Sequence, residues 1–555
     1  MQRELRETPG VTVLIYDQTC AAEKRRRRKR GTMEDPNRRV FINEAVCEGC
    51  GDCGVKSNCV SVLPVETEFG RKRQIDQSSC NKDYSCVKGF CPSFVDVIGG
   101  KVRKGASAAP KPTAVAPEVF EVLPEPALPA LDEPYGILVT GIGGTGVVTI
   151  SALLGMAAHL EGKGTSVLDM IGLAQKGGAV LSHVKIAASP DAVHAPRIAV
   201  GAADLLLACD IATAASKDGL EAISRDKTRA VVNTHETMTG RFTQNPDLQF
   251  PAEGMKSILR GAAGDNSTEF VDAYRIATRL LGDSIAANLF MLGYAWQLGL
   301  VPLGPDAIDR AIELNGVAVK FNQQAFLWGR RAAHDRDAVA RLIEPKPAGA
   351  SLKPAVATSL DEIVRIRVEG LTAYQDAAYA ARYRALVDRV AAAERRAVPG
   401  RDDLARAVAR YAYKLMAIKD EYEVARLYTD GSFQRKLREQ FEGDFSLRFH
   451  LAPPSFAPRD PATGHLKKLT FGPWVMPAFR LLASLKGLRG GRFDPFGRSE
   501  ERKMERRLRD EYVATVEEIV ARLTPETHGI AVELAGVPEQ IRGFGHVKER
   551  NVERA

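Results

Sequence analysis

The chain has 555 residues, of which 45% are hydrophobic and 26% charged, as is ordinary for a soluble protein with real cores. At about 150 residues per domain, this length predicts roughly three to four domains. The charged N-terminus MQRELRETPG lacks the apolar core of a secretory signal, and no apolar run approaches the ~18 residues of a membrane helix. These features predict a cytoplasmic protein without a membrane partner.

The first 40 residues begin with an apolar segment that has no obvious domain around it. The stretch VTVLIYDQTC (11–20) predicts a buried strand through Val11, Val13, Leu14 and Ile15. A single strand has no sheet to join. We therefore interpret residues 1–40 as a remnant of the end of a domain whose body lies elsewhere.

A basic run, KRRRRKR (24–30), supplies seven of the positive charges behind the net charge of +8. Such runs are usually solvated, and we predict an exposed loop. Two alternatives stay open: a docking patch for an acidic protein, or a site for an anionic cofactor tail. No aromatic residues or recognition motif accompany the run, so nucleic acid is not a predicted partner.

The cysteines are concentrated near the N-terminus. Eight of the nine precede residue 92, and the ninth, Cys209, lies in an apolar run typical of a core. Because the cytosol keeps thiols reduced, this clustering in a chain without a signal predicts metal ligation rather than disulfides. Cys20 stands apart and is not a predicted ligand.

Two cysteine runs follow the pattern of two-cluster ferredoxins, in which the fourth cysteine of each run binds the other cluster. This pattern predicts a ferredoxin-like iron–sulfur domain at 41–103 with two 4Fe–4S clusters. The first cluster takes four cysteines, called ligand set I: Cys47, Cys50, Cys53 and Cys91. The second takes three cysteines and one aspartate, called ligand set II: Cys59, Cys80, Asp83 and Cys86.

Asp83 stands where the ferredoxin pattern has a cysteine. A carboxylate can bind iron, but it is a harder donor than thiolate and holds iron less firmly. Set II therefore predicts either a 4Fe–4S cluster with one labile iron or a 3Fe–4S cluster with Asp83 unbound. A zinc site is the alternative, although zinc ribbons use two cysteine pairs around one ion. Gly49, Gly51 and Gly54 are expected to let the first loop wrap tightly.

The rest of the chain divides by composition into a linker and two larger regions. Residues 104–134 are rich in Ala and Pro and predict a semi-extended linker. Strands alternate with helices over 135–343, which predicts a Rossmann-like α/β domain. Residues 356–555 predict a mostly helical domain that includes an αα-hairpin around the turn VPGRDD (398–403). The predicted fold class is thus multi-domain, α/β plus α.

A glycine loop follows the first strand of the α/β region, with Gly141, Gly143, Gly144 and Gly146. The G-x-G-x-x-G spacing resembles a dinucleotide-binding fingerprint, and Asp169 lies near the place of a ribose-binding acid. The alternative is that the glycines only let the following helix pack close to the sheet. The motif alone does not decide between the two.

Several segments together resemble indolepyruvate ferredoxin oxidoreductase of the long, fused bacterial type, a member of the 2-oxoacid:ferredoxin oxidoreductase family. They are VCEGCGDCGVKSNCVSV, SSCNKDYSCVKGFCPSF, GIGGTGVVTISALLG, GLAQKGGAVLSHVKI, AIELNGVAVKFNQQAF and IRGFGHVKERN. The resemblance implies that 135–343 is a gamma-type pyruvate/ketoisovalerate oxidoreductase domain. It also disfavours NAD, because gamma domains carry such a glycine loop without using that cofactor.

The resemblance further implies partners and cofactors. The family's thiamine-diphosphate domains, with their Mg²⁺ motif, have no counterpart here, so a thiamine-bearing chain or missing domains are expected to supply them. Coenzyme A is the expected co-substrate, approached through Gln175, Lys176, Gly177 and Gly178, and ferredoxin is the expected acceptor. The assembled enzyme is expected to be a homo-oligomer. A stand-alone electron-transfer module and an NAD-dependent iron–sulfur dehydrogenase are the alternatives.

Overall fold

The computed structural model describes residues 1–103, 123–172, 178–238, 240–343, 356–454 and 457–555. The N-terminal part holds short elements around the cysteine loops. They are α1 (Gln2–Glu7), α2 (Ala21–Lys29), β1 (Arg38–Ile42), α3 (Asp52–Ser57), β2 (Val62–Thr67), β3 (Gly70–Ile75), a 3₁₀ turn (Ser85–Lys88), β4 (Phe94–Ile98) and β5 (Lys101–Val102).

Two predictions for the first 40 residues are wrong. Residues 11–20 form no strand, and their apolar side chains are exposed, Val11 to 98% and Ile15 to 84%. The physical reason is that no strand of the described structure lies beside them to pair their backbone. The basic run is not a solvated loop either, because most of it forms helix α2, and two of its arginines bond to the cysteine region.

The α/β region is built on a six-stranded sheet in the order β11-β10-β9-β6-β8-β7. Its strands are β6 (Tyr135–Ile142), β7 (Gly164–Ile171), β8 (Ala179–Ala187), β9 (Leu205–Ala208), β10 (Arg229–Asn233) and β11 (Thr268–Val271). Its helices are α4 (Val147–Leu160), α5 (Ile211–Ala214), α6 (Lys217–Glu221), α7 (Ala252–Ala263), α8 (Ala273–Leu281), α9 (Ala287–Gln297), α10 (Pro305–Asn315), α11 (Val319–His334) and α12 (Arg336–Ile343).

The central strands of this sheet, β6, β9 and β10, are buried on both faces, which is why they read as continuous apolar runs, whereas the edge strand β7 is partly exposed. Ile137 and Val139 of β6 face one core, and Leu138 faces the other. The α/β prediction is confirmed, but the sheet is not wholly parallel: β8 runs antiparallel between β6 and β7. The strand after α4 therefore does not lie beside β6, as it would in a Rossmann fold.

The C-terminal part is rich in helices, with three short strands among them. Its elements are α13 (Leu360–Tyr374), α14 (Ala377–Ala397), α15 (Asp403–Met416), α16 (Glu421–Thr429), α17 (Ser432–Gln440), β12 (Phe441–Glu442), β13 (Ser446–Leu451), β14 (Leu469–Phe471), α18 (Val475–Ser484), α19 (Glu500–Ala521), α20 (His528–Gly536) and α21 (His546–Val552). Helices α14 and α15 confirm the predicted αα-hairpin, with Tyr383 Oη donating to Ala409 O at 2.8 Å.

The cysteine region and the C-terminal part share one core, so the predicted boundaries do not separate them. Strand β4 pairs with β1 on one side and with β13 on the other, and β14 completes this sheet. Tyr428 of α16 is fully buried and donates from its hydroxyl to Pro92 O at 2.6 Å. Part of the 356–555 region thus packs against the segment that carries the cysteines.

The segment between the cysteine region and the α/β region is described only from residue 123. Leu123 and Leu131 pack against the α/β core, and Pro124 O accepts a hydrogen bond from Gln297. The described part of the predicted linker therefore lies on the α/β region. The remainder, 104–122, lies outside the described residues.

Candidate metal centres

The loop that carries Cys47, Cys50 and Cys53 is wrapped tightly, as predicted. Gly49 and Gly51 have φ values of +71° and +79°, which side chains rarely adopt. A Cβ on Gly49 would lie 2.2 Å from Arg71 O, so the loop presses against β3. Gly54 differs, because it lies within α3 and a Cβ there would make only ordinary contacts with Thr243.

The structure brings the four members of set I together. Cys47, Cys53 and Cys91 are buried, and Cys50 is half-buried. Burial raises the pKa of the Cys50 and Cys53 thiols, and the nearby charges of Cys47 and Cys91 raise both further. Burial, with the charge of Cys47, also raises the pKa of Cys91 to about 12. Burial and mutual repulsion thus oppose ionisation of these thiols, and a cationic occupant would favour the thiolate form that binds metal.

The members of set II form a second, more exposed group. Burial, followed by the charges of Cys59, Cys80 and Asp83, raises the pKa of Cys86 to about 12. Burial also raises the pKa of Cys80, to which Cys59 and Asp83 contribute in the same direction. Cys59 and Cys80 are half-buried, and Asp83 is exposed. Asp83 is thus placed near the thiols of Cys80 and Cys86, which in turn lie near Cys59.

The same kind of backbone hydrogen bond occurs in both sets. The amides of Gly49, Ser61 and Lys82 each donate to the sulfur of the cysteine two residues earlier, at 3.4 Å in every case. At Asp83 the same contact recurs with oxygen, because the Ser85 amide donates to Asp83 Oδ1 at 3.2 Å. Such hydrogen bonds from backbone amides stabilise negative charge on the sulfur or oxygen atom that accepts them. The contact at Asp83 is an Asx turn of the kind that Asp76 and Asp283 also form, so it orients the carboxylate without marking it as a ligand.

The spacing of the donor atoms bears on the zinc alternative. Around one tetrahedral zinc, sulfurs bonded at about 2.3 Å would lie about 3.8 Å apart. Among the residues that the structure describes, no three members of either set have donor atoms within 4.8 Å of one another. The described residues of the two sets therefore do not form the compact tetrahedral group of donors that a single zinc ion requires.

One other group of potential ligands does fall within 4.8 Å in the described chain: Glu394, Asp403 and His528. The Glu394 carboxylate is already occupied, because it accepts hydrogen bonds from the amides of Leu404 and Ala405, both at 2.8 Å. Its carboxylate therefore caps the N-terminus of α15, and His528 lies 2.6 Å from it. We assign this group to helix capping rather than to metal binding.

Three basic side chains surround the cysteines, and sequence reasoning missed them. Arg73 interacts with the charges of Cys47, Cys50 and Cys53, while Lys72 lies near Cys47. Lys468 interacts with Cys53 and Cys91 of set I and with Cys86 of set II. No local sequence signal could have identified Lys468, because it directly precedes β14, more than 370 residues after the last cysteine of the two sets.

Lys468 occupies the junction between the two sets. Its Nζ donates to the backbone carbonyls of Val87 and Gly89, in the loop between Cys86 and Cys91. Burial lowers the pKa of Lys468, and the neighbouring thiolates act in the opposite direction. A half-buried ammonium group between the two donor sets stabilises negative charge on both.

The glycine loop has a structural explanation of its own. A Cβ on Gly141 would lie 2.5 Å from Val147 Cγ2, so the glycine lets α4 pack against the end of β6. Gly144 and Gly146 have φ values of +85° and +98°. The Gly143 amide donates to Gly178 O at 2.7 Å. Gln175, Lys176 and Gly177 lie outside the described residues.

Asp169 does not have the environment of a ribose-binding acid. Its Oδ1 accepts hydrogen bonds from Ser151 Oγ, at 2.9 Å, and from Ser182 Oγ. Because β8 separates β7 from β6, Asp169 is also one strand further from the glycine loop than in a dinucleotide site. The alternative explanation, close packing of helix on sheet, accounts for these residues.

Two family models match the chain. Residues 136–332 match pyruvate ferredoxin/flavodoxin oxidoreductase, and residues 360–555 match a family of unknown function, DUF6537. Indolepyruvate oxidoreductase subunit IorB of Methanothermobacter thermautotrophicus is 28% identical over 203 residues, covering 36% of this chain and 97% of the relative. The same subunit of Archaeoglobus fulgidus is 25% identical over 210 residues, covering 36% of this chain and 98% of the relative.

Two solved structures match a similar share of the chain, 36% in each case. Pyruvate oxidoreductase subunit PORC of Thermotoga maritima is 22% identical, covers 36% of this chain and 97% of its own, and has a TM-score of 0.27. The gamma subunit of a keto/oxoacid ferredoxin oxidoreductase from Geobacter sulfurreducens is also 22% identical, with coverages of 36% and 98% and a TM-score of 0.26. Separately, none of the helices in the described ranges has the length and apolar character to cross a membrane.

Proposed function

Because the chain is a member of the 2-oxoacid:ferredoxin oxidoreductase family, with the oxidoreductase domain at 136–332, we propose that it is the electron-transferring part of an indolepyruvate-type enzyme. Ligand sets I and II would each hold one iron–sulfur cluster. The observation that carries the proposal is the grouping of seven cysteines and Asp83 into two separate donor sets. When bound, such clusters supply one-electron transfer at low potential.

The protein's own residues prepare these sites. Thiolates supply the donor atoms, backbone amides bond to them, and Lys468, Lys72 and Arg73 offset their negative charge. Hydrogen bonds and nearby charge are the means by which a protein tunes the reduction potential of a cluster. The glycine loop and the residues around Gly178 would form part of the approach for coenzyme A.

The overall reaction proposed for the assembled enzyme is the oxidative decarboxylation of an aryl pyruvate. The 2-oxoacid and coenzyme A would give an acyl-CoA, carbon dioxide and a proton, while two electrons pass singly to two ferredoxin molecules. Thiamine diphosphate and Mg²⁺ would be held by domains or a chain other than the one described. The assembled enzyme is proposed to be a cytoplasmic homo-oligomer.

The test is reconstitution. The isolated chain, given indolepyruvate, coenzyme A, thiamine diphosphate and Mg²⁺, should not reduce ferredoxin or methyl viologen. Adding a polypeptide that supplies the thiamine-diphosphate domains should restore reduction. Turnover by the chain with thiamine diphosphate alone would contradict the proposal that another polypeptide holds this cofactor. Absence of iron from the anaerobically purified chain would contradict the assignment of the two sets.

Replacing Asp83 with cysteine should make set II resemble a complete ferredoxin site. A fourth thiolate holds iron more firmly than a carboxylate, so Asp83→Cys should retain more iron after exposure to air than the wild type. Electron paramagnetic resonance of the dithionite-reduced protein is the measurement. Asp52→Cys, a change of the same kind beside set I, should give no such protection. A wild type with one cluster and an unchanged D83C spectrum would contradict the assignment of Asp83.

Replacing Lys468 with methionine should lower the midpoint potential of the clusters, because the reduced state loses a nearby, half-buried positive charge. We expect a shift on the order of 60 mV, which for a one-electron couple corresponds to about 1.4 kcal/mol. Lys467→Met is the matched control, since Lys467 is half exposed and pairs with Asp460 at 3.1 Å. Redox titration with spectroscopic detection measures both variants; equal shifts would show that Lys468 has no special position.

A further inference from the structure

Helix α2 places a strongly basic surface beside ligand set II. We propose that this helix, with Arg30 after it, is the docking ridge for an acidic one-electron carrier protein. The inference rests on the proposed function, because it assigns the face at which electrons leave the chain. The name basic ridge is used below for residues 24–30.

The basic ridge is fixed to the loop that carries Cys80. Arg25 donates to Ser78 O, and Arg28 Nη1 donates to Asn81 O at 2.6 Å, so two guanidinium groups bond to carbonyls on either side of that cysteine. These contacts join residues far apart in sequence and give the helix a defined position. A protein bound on the ridge would therefore lie next to set II.

The ridge has many more basic than acidic residues. The sequence places seven basic residues in it, while helix α2 supplies one carboxylate, Glu23. That carboxylate is shared, lying 3.7 Å from Arg26 and 3.1 Å from Arg27. Arg26, Arg27 and Arg30 are exposed. A dense array of exposed cations attracts an acidic partner and accelerates its association.

Set II is the more accessible of the two donor sets. Asp83 is exposed and Cys59 and Cys80 are half-buried, whereas Cys47, Cys53 and Cys91 of set I are buried. An acceptor protein must come close to the group that supplies its electron. Asp83, the exposed member of set II, lies two residues from Asn81, whose carbonyl accepts a hydrogen bond from Arg28 of the ridge.

Other occupants fit the ridge less well. Helix α2 has the sequence AAEKRRRRK, which offers neither an aromatic side chain for base stacking nor an apolar face for insertion into a lipid surface. An acidic protein needs neither of these features. Charge complementarity thus favours a soluble acidic carrier over nucleic acid or membrane.

The experiment measures binding of an acidic bacterial two-cluster ferredoxin to the full-length chain by calorimetry, at low salt and at about 0.5 M salt. The ridge variant carries Arg26→Glu, Arg27→Glu and Arg30→Glu. The matched control carries Arg384→Glu, Arg395→Glu and Arg396→Glu, three exposed residues of α14 with the same change in charge. We expect the ridge variant to bind at least tenfold more weakly at low salt and the control to bind like the wild type.

Two outcomes overturn the docking proposal: equal affinities for the wild type and the ridge variant, or equal weakening of the ridge and control variants. Tighter binding of a single-stranded DNA oligonucleotide than of ferredoxin would overturn it in favour of nucleic acid. Weakening of wild-type binding at high salt supports it independently of the variants. Iron content and resonance signals of the wild type, measured separately, report failure of the proposed function, because binding is scored without turnover.

Discussion

Replacing Cys53 with serine is expected to remove the iron bound by ligand set I while leaving set II loaded. If both sets hold 4Fe–4S clusters, iron should fall from about eight to about four atoms per chain. Cys53 is only 8% exposed, and its thiol lies among the charges of Cys47, Cys50 and Cys91. A serine hydroxyl at this position is a poor substitute for a soft thiolate donor. Iron analysis and electron paramagnetic resonance of anaerobic protein are the measurements.

The control for this prediction is a buried cysteine outside both sets. Cys209 is equally buried but lies in the α/β core, so Cys209→Ala should retain the full iron content. Cys20→Ser, at an exposed position, should do the same. Equal loss of iron from the Cys53 and Cys209 variants would mean that the effect is general destabilisation rather than loss of a ligand.

Local pattern predicted the α/β region well and its topology less well. The apolar runs at β6 to β10 are long enough and β-branched enough to identify strands without any knowledge of their partners. What they cannot encode is direction. Strand β8 is a largely apolar run like its neighbours, yet it runs antiparallel to β6.

The members of the two donor sets could be predicted from the local spacing of the cysteines. The residues that surround the sets come from distant parts of the chain. Cysteine spacing predicted which sulfurs would lie together. It could not predict that β13 would pair with β4, or that Lys468 would return to the carbonyls of Val87 and Gly89. The apolar segment 11–20 failed for a related reason: apolar character was taken as burial, although nothing in the described chain covers it.

A substitution at Gly89 is also expected to have a large effect, because this residue forms a close contact between the segments that carry the two donor sets. Gly89 lies in the loop after Cys86, where it packs against Cys53 at the start of α3. A Cβ on Gly89 would lie 2.8 Å from Cys53 Cα and 2.9 Å from Cys53 N, so the clash is with backbone that cannot rotate away. The backbone angles of Gly89, φ −56° and ψ 136°, are open to any residue. Any effect of alanine would therefore come from the clash alone.

Gly89→Ala should push the Cys86–Cys91 loop away from α3 and reduce the iron content of both sets, because that loop carries a ligand of each. We expect a loss of stability of about 1–3 kcal/mol, as is usual for overpacking at a close contact. Gly54→Ala is the matched control: it lies in α3, where a Cβ would be 3.7 Å from Thr243 Cα and alanine favours the helix by about 1 kcal/mol. Thermal unfolding and iron analysis of both variants decide the matter. Full iron in the Gly89 variant would show that iron binding by the two sets does not depend on this contact.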